Sequence, residues 1–181
     1  APGGVWSSPA LIENDDSVAV RGVKVVADAN GTATAVWNTS AARTFASRLD
    51  AGSTAWSGPV ELGLPNGGSL MPVLAIAADG RVLAAFEDFD RNNGQRVMVA
   101  NRYVPGSGWS GPAVLMAQSF NDIMSLGNAA IAGNHAAVVY QAVPVAGAGG
   151  RNLVSRCSAT NGWSAAEELP VGPVGNVVPG V

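Results

Sequence analysis

Three arginines recur at matching places in this 181-residue chain: Arg48, Arg102 and Arg156. Three guanidinium groups converging on one carboxylate would make a strong, directional grip on an acidic substrate. However, equivalent positions of a repeated unit occupy the same place in each unit, so symmetry spreads these arginines out instead of gathering them. We read each as a long stem lying along apolar surface with its charged head at a sheet edge, and no catalytic residue is assigned. A second candidate is Asp88-Phe89-Asp90-Arg91-Asn92-Asn93-Gly94. Asp88, Asp90 and Asn92 space oxygen ligands as the start of a calcium loop does, although the glycine falls one place late and Val99 stands where the closing glutamate is needed. The favoured reading is a solvated hairpin connection, with calcium as the only cofactor to consider. Trp56 and Trp109 offer flat apolar faces for a sugar ring, but their spacing first suggests plugs in a core. His135 reads as an exposed turn residue and Cys157 as a small buried hydrophobe.

The elements that would position these groups emerge from self-similarity. Trp6-Ser7-Ser8-Pro9, Trp56-Ser57-Gly58-Pro59, Trp109-Ser110-Gly111-Pro112 and Trp163-Ser164-Ala165-Ala166 share one pattern, with tryptophans 50, 53 and 54 residues apart. An aromatic residue follows each of the first three tryptophans by 30 or 31 residues: Trp37, Phe86 and Tyr140. The arginine comes next, and the following tryptophan lies 7 or 8 residues beyond it. Four landmarks kept in register through three units define a tandem array.

Within each unit the hydrophobic period is two. Phe45, Ser47 and Leu49 alternate with Thr44, Ala46 and Arg48, and the runs ending near Arg102 and Arg156 keep the same phase. A strand requires this constancy, because a one-residue slip would exchange its faces. Apolar runs at Val23 to Ala27, Val73 to Ala77 and Asn128 to Ala132 each meet a second run across Asn30-Gly31, Asp79-Gly80 or Gly133-Asn134. Such dipeptides suit tight hairpins. Each unit therefore predicts four antiparallel strands, with the Trp-Ser-Gly-Pro segment opening the fourth.

Four strands in about 50 residues match a β-propeller blade, and small Ala and Val on both strand faces suit a blade buried between neighbours. A β-sandwich is the alternative, but it demands no such repeat. The expected fold is all-β: a β-propeller with three complete four-stranded blades at 18–62, 71–116 and 125–169. Partial strands are expected at 6–12 and 176–181. Rings close with about 4 to 8 blades, so the expected array is an open segment of a longer propeller or is closed by oligomerisation. In this topology the connections after the second and fourth strands share one rim. Aromatic-to-arginine spacings of 11, 16 and 16 place insertions at Glu87 to Gln95 and Ala142 to Gly150, and long loops on a rigid scaffold are where binding usually resides. Glu87, Asp88, Asp90 and Arg91, with Trp56 and Trp109, are the candidate ligand-binding residues.

Two segments carry a resemblance: Val99-Ala100-Asn101-Arg102-Tyr103-Val104-Pro105-Gly106-Ser107-Gly108-Trp109, and Val26 to Gly31 with Ala35-Val36-Trp37. They resemble a tandem repeat of bacterial exported and surface proteins, patterned AVDxxGNxxAVW and WANRYxxGxGW, once per unit and best in the second. The third unit departs from it at Gly133-Asn134-His135 and at Cys157, which stands where the second has tyrosine. The resemblance implies a sialidase-like propeller, bacterial origin and a secreted, periplasmic or cell-surface location, with no common activity. The sialidase Asp-box itself is not matched: Asp28 lies three residues before Gly31, and Asp79 directly precedes Gly80.

Composition limits the rest. Net charge is −3, only 13% of residues are charged, and Gly (23) and Pro (11) are spread throughout. No basic stripe exists to release counterions from nucleic acid, and no apolar run reaches the length of a membrane-spanning helix. One cysteine permits no intrachain disulfide. The sequence thus predicts a non-enzymatic binding or interaction scaffold for a protein or glycan ligand. The runner-up is an oligomeric, lectin-like propeller, and the third reading a fragment of a sialidase-like glycosidase. Self-association or the remainder of a longer chain is the expected partner of the array itself.

Overall fold

A computed structural model describes residues 8–70, 72–145 and 149–170. Among these, every regular element is a strand and there is no helix. Three separate antiparallel sheets follow one another along the chain, so a two-layer sandwich is not the architecture. The first sheet contains β1 (Val20–Ala27), β2 (Ala33–Thr39), β3 (Thr44–Leu49) and β4 (Val60–Glu61) in that spatial order. The second contains β5 (Val73–Ile76), β6 (Val82–Asp90), β7 (Gln95–Val104) and the two-residue β8 (Gly108–Trp109), with β9 (Ala113–Ser119) also on β7. The third repeats this plan: β10 (Ile123–Ala132), β11 (His135–Val143), β12 (Arg151–Ser158), β13 (Gly162–Trp163), and β14 (Glu167–Glu168) on β12.

Turn chemistry explains the first hairpin of each sheet. Gly31, Gly80 and Gly133 adopt φ of 87°, 78° and 54°, values that cost glycine little and other residues much. In the first turn, Asp28 Oδ1 accepts the backbone N–H groups of Asn30 and Thr32 at 2.9 and 3.0 Å. The tryptophan motif precedes the main body of the fourth strand: Ser57, Ser110 and Ser164 donate their N–H to the carbonyls of Arg48, Arg102 and Arg156. The three units therefore share hydrogen bonds as well as spacing.

The sheets stack in one sense. Val36 and Ala46 of the first sheet, with Leu62, pack on Ala84, Phe86, Val97 and Val99 of the second. The opposite face of the second sheet (Leu83, Ala85, Met98, Ala100) packs on Ala136, Val138, Tyr140 and Leu153 of the third. Consequently Val82 through Asp88 are all buried, an unbroken run in place of the polar–apolar alternation of a half-exposed strand. The first strands gather: β10 lies against β5 and β6, and β1 lies beside β5.

Phe86 and Tyr140 are buried between neighbouring sheets. Trp37, their counterpart, is also buried; it stacks on Phe45 and borders a small cavity with Glu13, Asp15 and Val18. Two expectations are corrected here. Residues 8–12, expected within a strand at 6–12, pair with nothing as a strand, and residues 6 and 7 lie outside the described residues. The segment 87–95 is mostly hairpin, not loop. Glu87, Asp88, Phe89 and Asp90 pair with Met98, Val97, Arg96 and Gln95, leaving only residues 91–94 as the turn. The inserted residues extend the two strands of the hairpin in register. The strand expected at 176–181 lies outside the described residues.

Candidate functional site

The rim formed by the β6–β7 hairpin collects most of the predicted residues, and it sorts them. Asp88 is buried, with its carboxylate turned to the chain that links the first sheet to the second. Oδ2 accepts the N–H of Leu64 at 2.9 Å, while Oδ1 accepts those of Gly68 and Phe89 at 2.6 and 2.7 Å. Burial raises the Asp88 carboxyl above the usual aspartate value, against the lowering pull of those three donors. The clasp is close: a Cβ on Gly67 would stand 2.5 Å from Asp88 Oδ1. Asn66 beside it takes a left-handed φ of 62°, which asparagine tolerates better than most residues. Asp88 is thus a structural clamp on the linker 64–68.

Asp90 serves its own turn. Oδ1 accepts the N–H groups of Asn92 and Asn93, and Oδ2 accepts Asn93 Nδ2 at 2.7 Å. The Asn93 side chain, before the turn's backbone donors, draws the Asp90 carboxyl below the usual range. Asn92 contributes its backbone N–H there. The carboxylate oxygens of Asp88 and Asp90 therefore answer backbone and amide donors, and Asp88 points into the linker. Among the described residues no group of three His, Cys, Asp or Glu side chains is arranged to hold a metal.

Glu87 pairs with Arg96. Arg96 also donates from Nε to the Phe120 carbonyl at 2.9 Å and lies 5.3 Å from that ring's centre. Phe120 in turn meets Phe89 edge to face at 4.9 Å. Arg91 is exposed at the turn. The rim consequently presents Arg91, the Glu87–Arg96 pair, and the exposed side chains of Leu70, Phe120, Ile123 and Val145. Leu70, Phe120 and Ile123 fell outside the sequence reading because they precede or follow the inserted segments; the apolar residues in those linkers were the available signal.

The tryptophans divide. Trp109 packs edge to face on Tyr103 at 5.6 Å and joins the periphery of the core between the first two sheets. Trp56 is half-buried and lines an open groove of about 430 Å³ with Leu11, Ile12, Glu13, Thr54 and Pro59. The groove's far wall is the segment before β1, which no motif had marked.

The arginines do not converge. Arg48 Nη1 reaches the Gly80 carbonyl at 3.4 Å and its guanidinium lies 4.3 Å from the Tyr103 ring centre, both in the second sheet. Arg102 Nη1 lies 3.0 Å from Cys157 Sγ in the third. Arg156 pairs with Glu167 of its own sheet. Cys157 is buried, and burial raises its thiol while Arg102 partly offsets that. His135 begins β11 and is exposed.

No protein-family model matches the chain, and no curated protein matches it. No helix among the described residues is long and apolar enough to cross a membrane.

Proposed function

We propose that the three sheets are blades of a β-propeller array of an exported bacterial protein, and that the array is a non-catalytic binding scaffold. The observation that carries this reading is the second sheet, buried on both faces by neighbours stacked in the same sense. Radial stacking of that kind sends connections to two rims and leaves the rims free for recognition. The β6–β7 rim supplies the recognition chemistry: an exposed guanidinium at Arg91, and exposed apolar side chains at Phe120 and Ile123. Asp88, held by three backbone donors, belongs to the scaffold and not to the ligand. Arg48, Arg102 and Arg156 each have separate partners, which supports a scaffold over a glycosidase built on an arginine triad.

A photo-cross-linking residue at position 91, in cells that make the protein, tests the rim. A discrete adduct is expected there and not at position 30 on the opposite rim. Equal labelling at both positions, or turnover of a fluorogenic glycoside lost on Arg102→Ala, would reject the reading. The Trp56 groove favours a lectin-like alternative, in which a sugar ring stacks on the indole. A glycan array decides it: a specific hit abolished by Trp56→Ala makes the groove the binding site.

A further inference from the structure

In each internal interface the arginine of one sheet reaches across to the next. From the first sheet Arg48 crosses to the second, donating to the Gly80 turn carbonyl and lying over Tyr103. From the second Arg102 crosses to the third and meets Cys157. Tyr103 and Cys157 are equivalent positions, each directly after its own sheet's arginine. The donor faces match as well: Ala46 beside Arg48, and Ala100 beside Arg102, lie in the apolar contacts with the following sheet. Arg156 is the third copy of this residue. Its side chain is 57% exposed and turned to Glu167. On its face of the third sheet stand the half-buried Ala137 and Val139 and the buried Val154, and β11–β12 pairing places Ala137 opposite Arg156 and Val139 opposite Val154.

We infer that this face of the third sheet is a docking surface for one further four-stranded unit of the same repeat, carried in the same polypeptide array, and that Arg156 is its latch. The interface between the first and second sheets defines the occupant. The occupant presents a glycine turn carbonyl where the second sheet has Gly80, and a side chain able to receive a guanidinium where that sheet has Tyr103. A tyrosine there adds a cation–π contact. Sequence register supports a unit in the same chain. Leu62 and Leu169 make the same backbone bond, to Thr44 and Asn152 respectively, and each is followed ten residues later by proline, Pro72 and Pro179. A second copy of the whole chain fits less well, since its Glu13, Asp15 and Val18 already stand beside Trp37 and Phe45 on the face that would have to dock. This inference rests on the stacked-blade reading proposed above.

The test extends the full chain after Val181 with a copy of residues 75–119, which continues the register. In the parent chain Arg156→Ala should leave the melting temperature unchanged, whereas Arg48→Ala and Arg102→Ala should lower it. In the extended chain Arg156→Ala should lower it by about as much as Arg48→Ala does, and replacing the appended tyrosine should remove most of that loss. An appended unit that is cleaved by protease while the parent sheets survive, or an Arg156→Ala that stays silent, overturns the inference. So does light scattering that shows a stable parent dimer dissociated by Arg156→Ala, because a second copy would then be the occupant. If Arg48→Ala and Arg102→Ala are also silent, the stacked-blade reading itself fails.

Discussion

The Asp88 clamp offers the sharpest test of how the sheets are joined. Asp88→Ala removes the acceptor of three backbone N–H groups, those of Leu64, Gly68 and Phe89. A buried donor left unpaired costs about 1–3 kcal/mol. Leu64 and Gly68 are only half-buried, so water entering the space recovers part of the loss. The expected destabilisation is therefore about 2–4 kcal/mol for the three donors together, measured by urea unfolding with an unchanged m-value. Limited proteolysis should show new cleavage within residues 63–69, since the linker loses its anchor. Asp88→Asn keeps one acceptor oxygen but turns an NH2 group toward backbone donors, and should fall between wild type and alanine. The pH dependence has a definite sign. Because burial raises this carboxyl, the native state holds its proton to higher pH than the unfolded chain does. Its contribution to stability is thus greatest below the ordinary aspartate value and is lost as pH rises through the raised one. Asp88→Asn should remove that fall from the difference between the two stability curves. A loss under about 1 kcal/mol for Asp88→Ala, with no new cleavage, would refute the clamp.

Other consequences can be checked with single substitutions. Gly67→Ala should weaken the same clamp, because its Cβ would stand 2.5 Å from Asp88 Oδ1; a melting temperature equal to wild type would contradict the geometry. Tyr140→Phe breaks the buried hydroxyl pair with Ser155, 2.9 Å long, and should cost about 1 kcal/mol in denaturant unfolding. Cys157, buried and with its thiol raised by desolvation, should react with a thiol reagent at the rate of unfolding and not before; rapid labelling of native protein would show the interface between the second and third sheets to be open. Calcium should leave the melting temperature unmoved, since the Asp88 and Asp90 oxygens are already taken by N–H donors; a rise abolished by Asp90→Asn would restore the metal reading.

Much of the architecture was legible because it rests on local chemistry repeated three times. Positive-φ turns at Gly31 and Gly80 need glycine, and a constant two-residue phase before Arg48, Arg102 and Arg156 needs strands, so turn, strand and unit could all be located. The candidate site was legible only as a region. Asp88 and Asp90 read alike in sequence, two carboxylates two residues apart on one strand. Yet one is buried as a clamp on a linker twenty residues upstream, while the other caps its own turn. That difference comes from which chain passes beside each, a contact no local pattern encodes. Trp56 and Trp109 carry the same motif, but Trp109 packs on Tyr103 while Trp56 lines an open groove whose far wall is residues 11–13.

The amino-acid sequence by itself determined the strands, their turns and the threefold unit, since dihedral preference and alternation act over a few residues. Tertiary structure alone decided which faces became interfaces and which arginines found partners. Arg48, Arg102 and Arg156 are equal in sequence, but the first two have a following sheet to engage and the third turns back to Glu167. A side chain's partners depend on packing between segments far apart in the chain, and only the assembled fold brings those segments together.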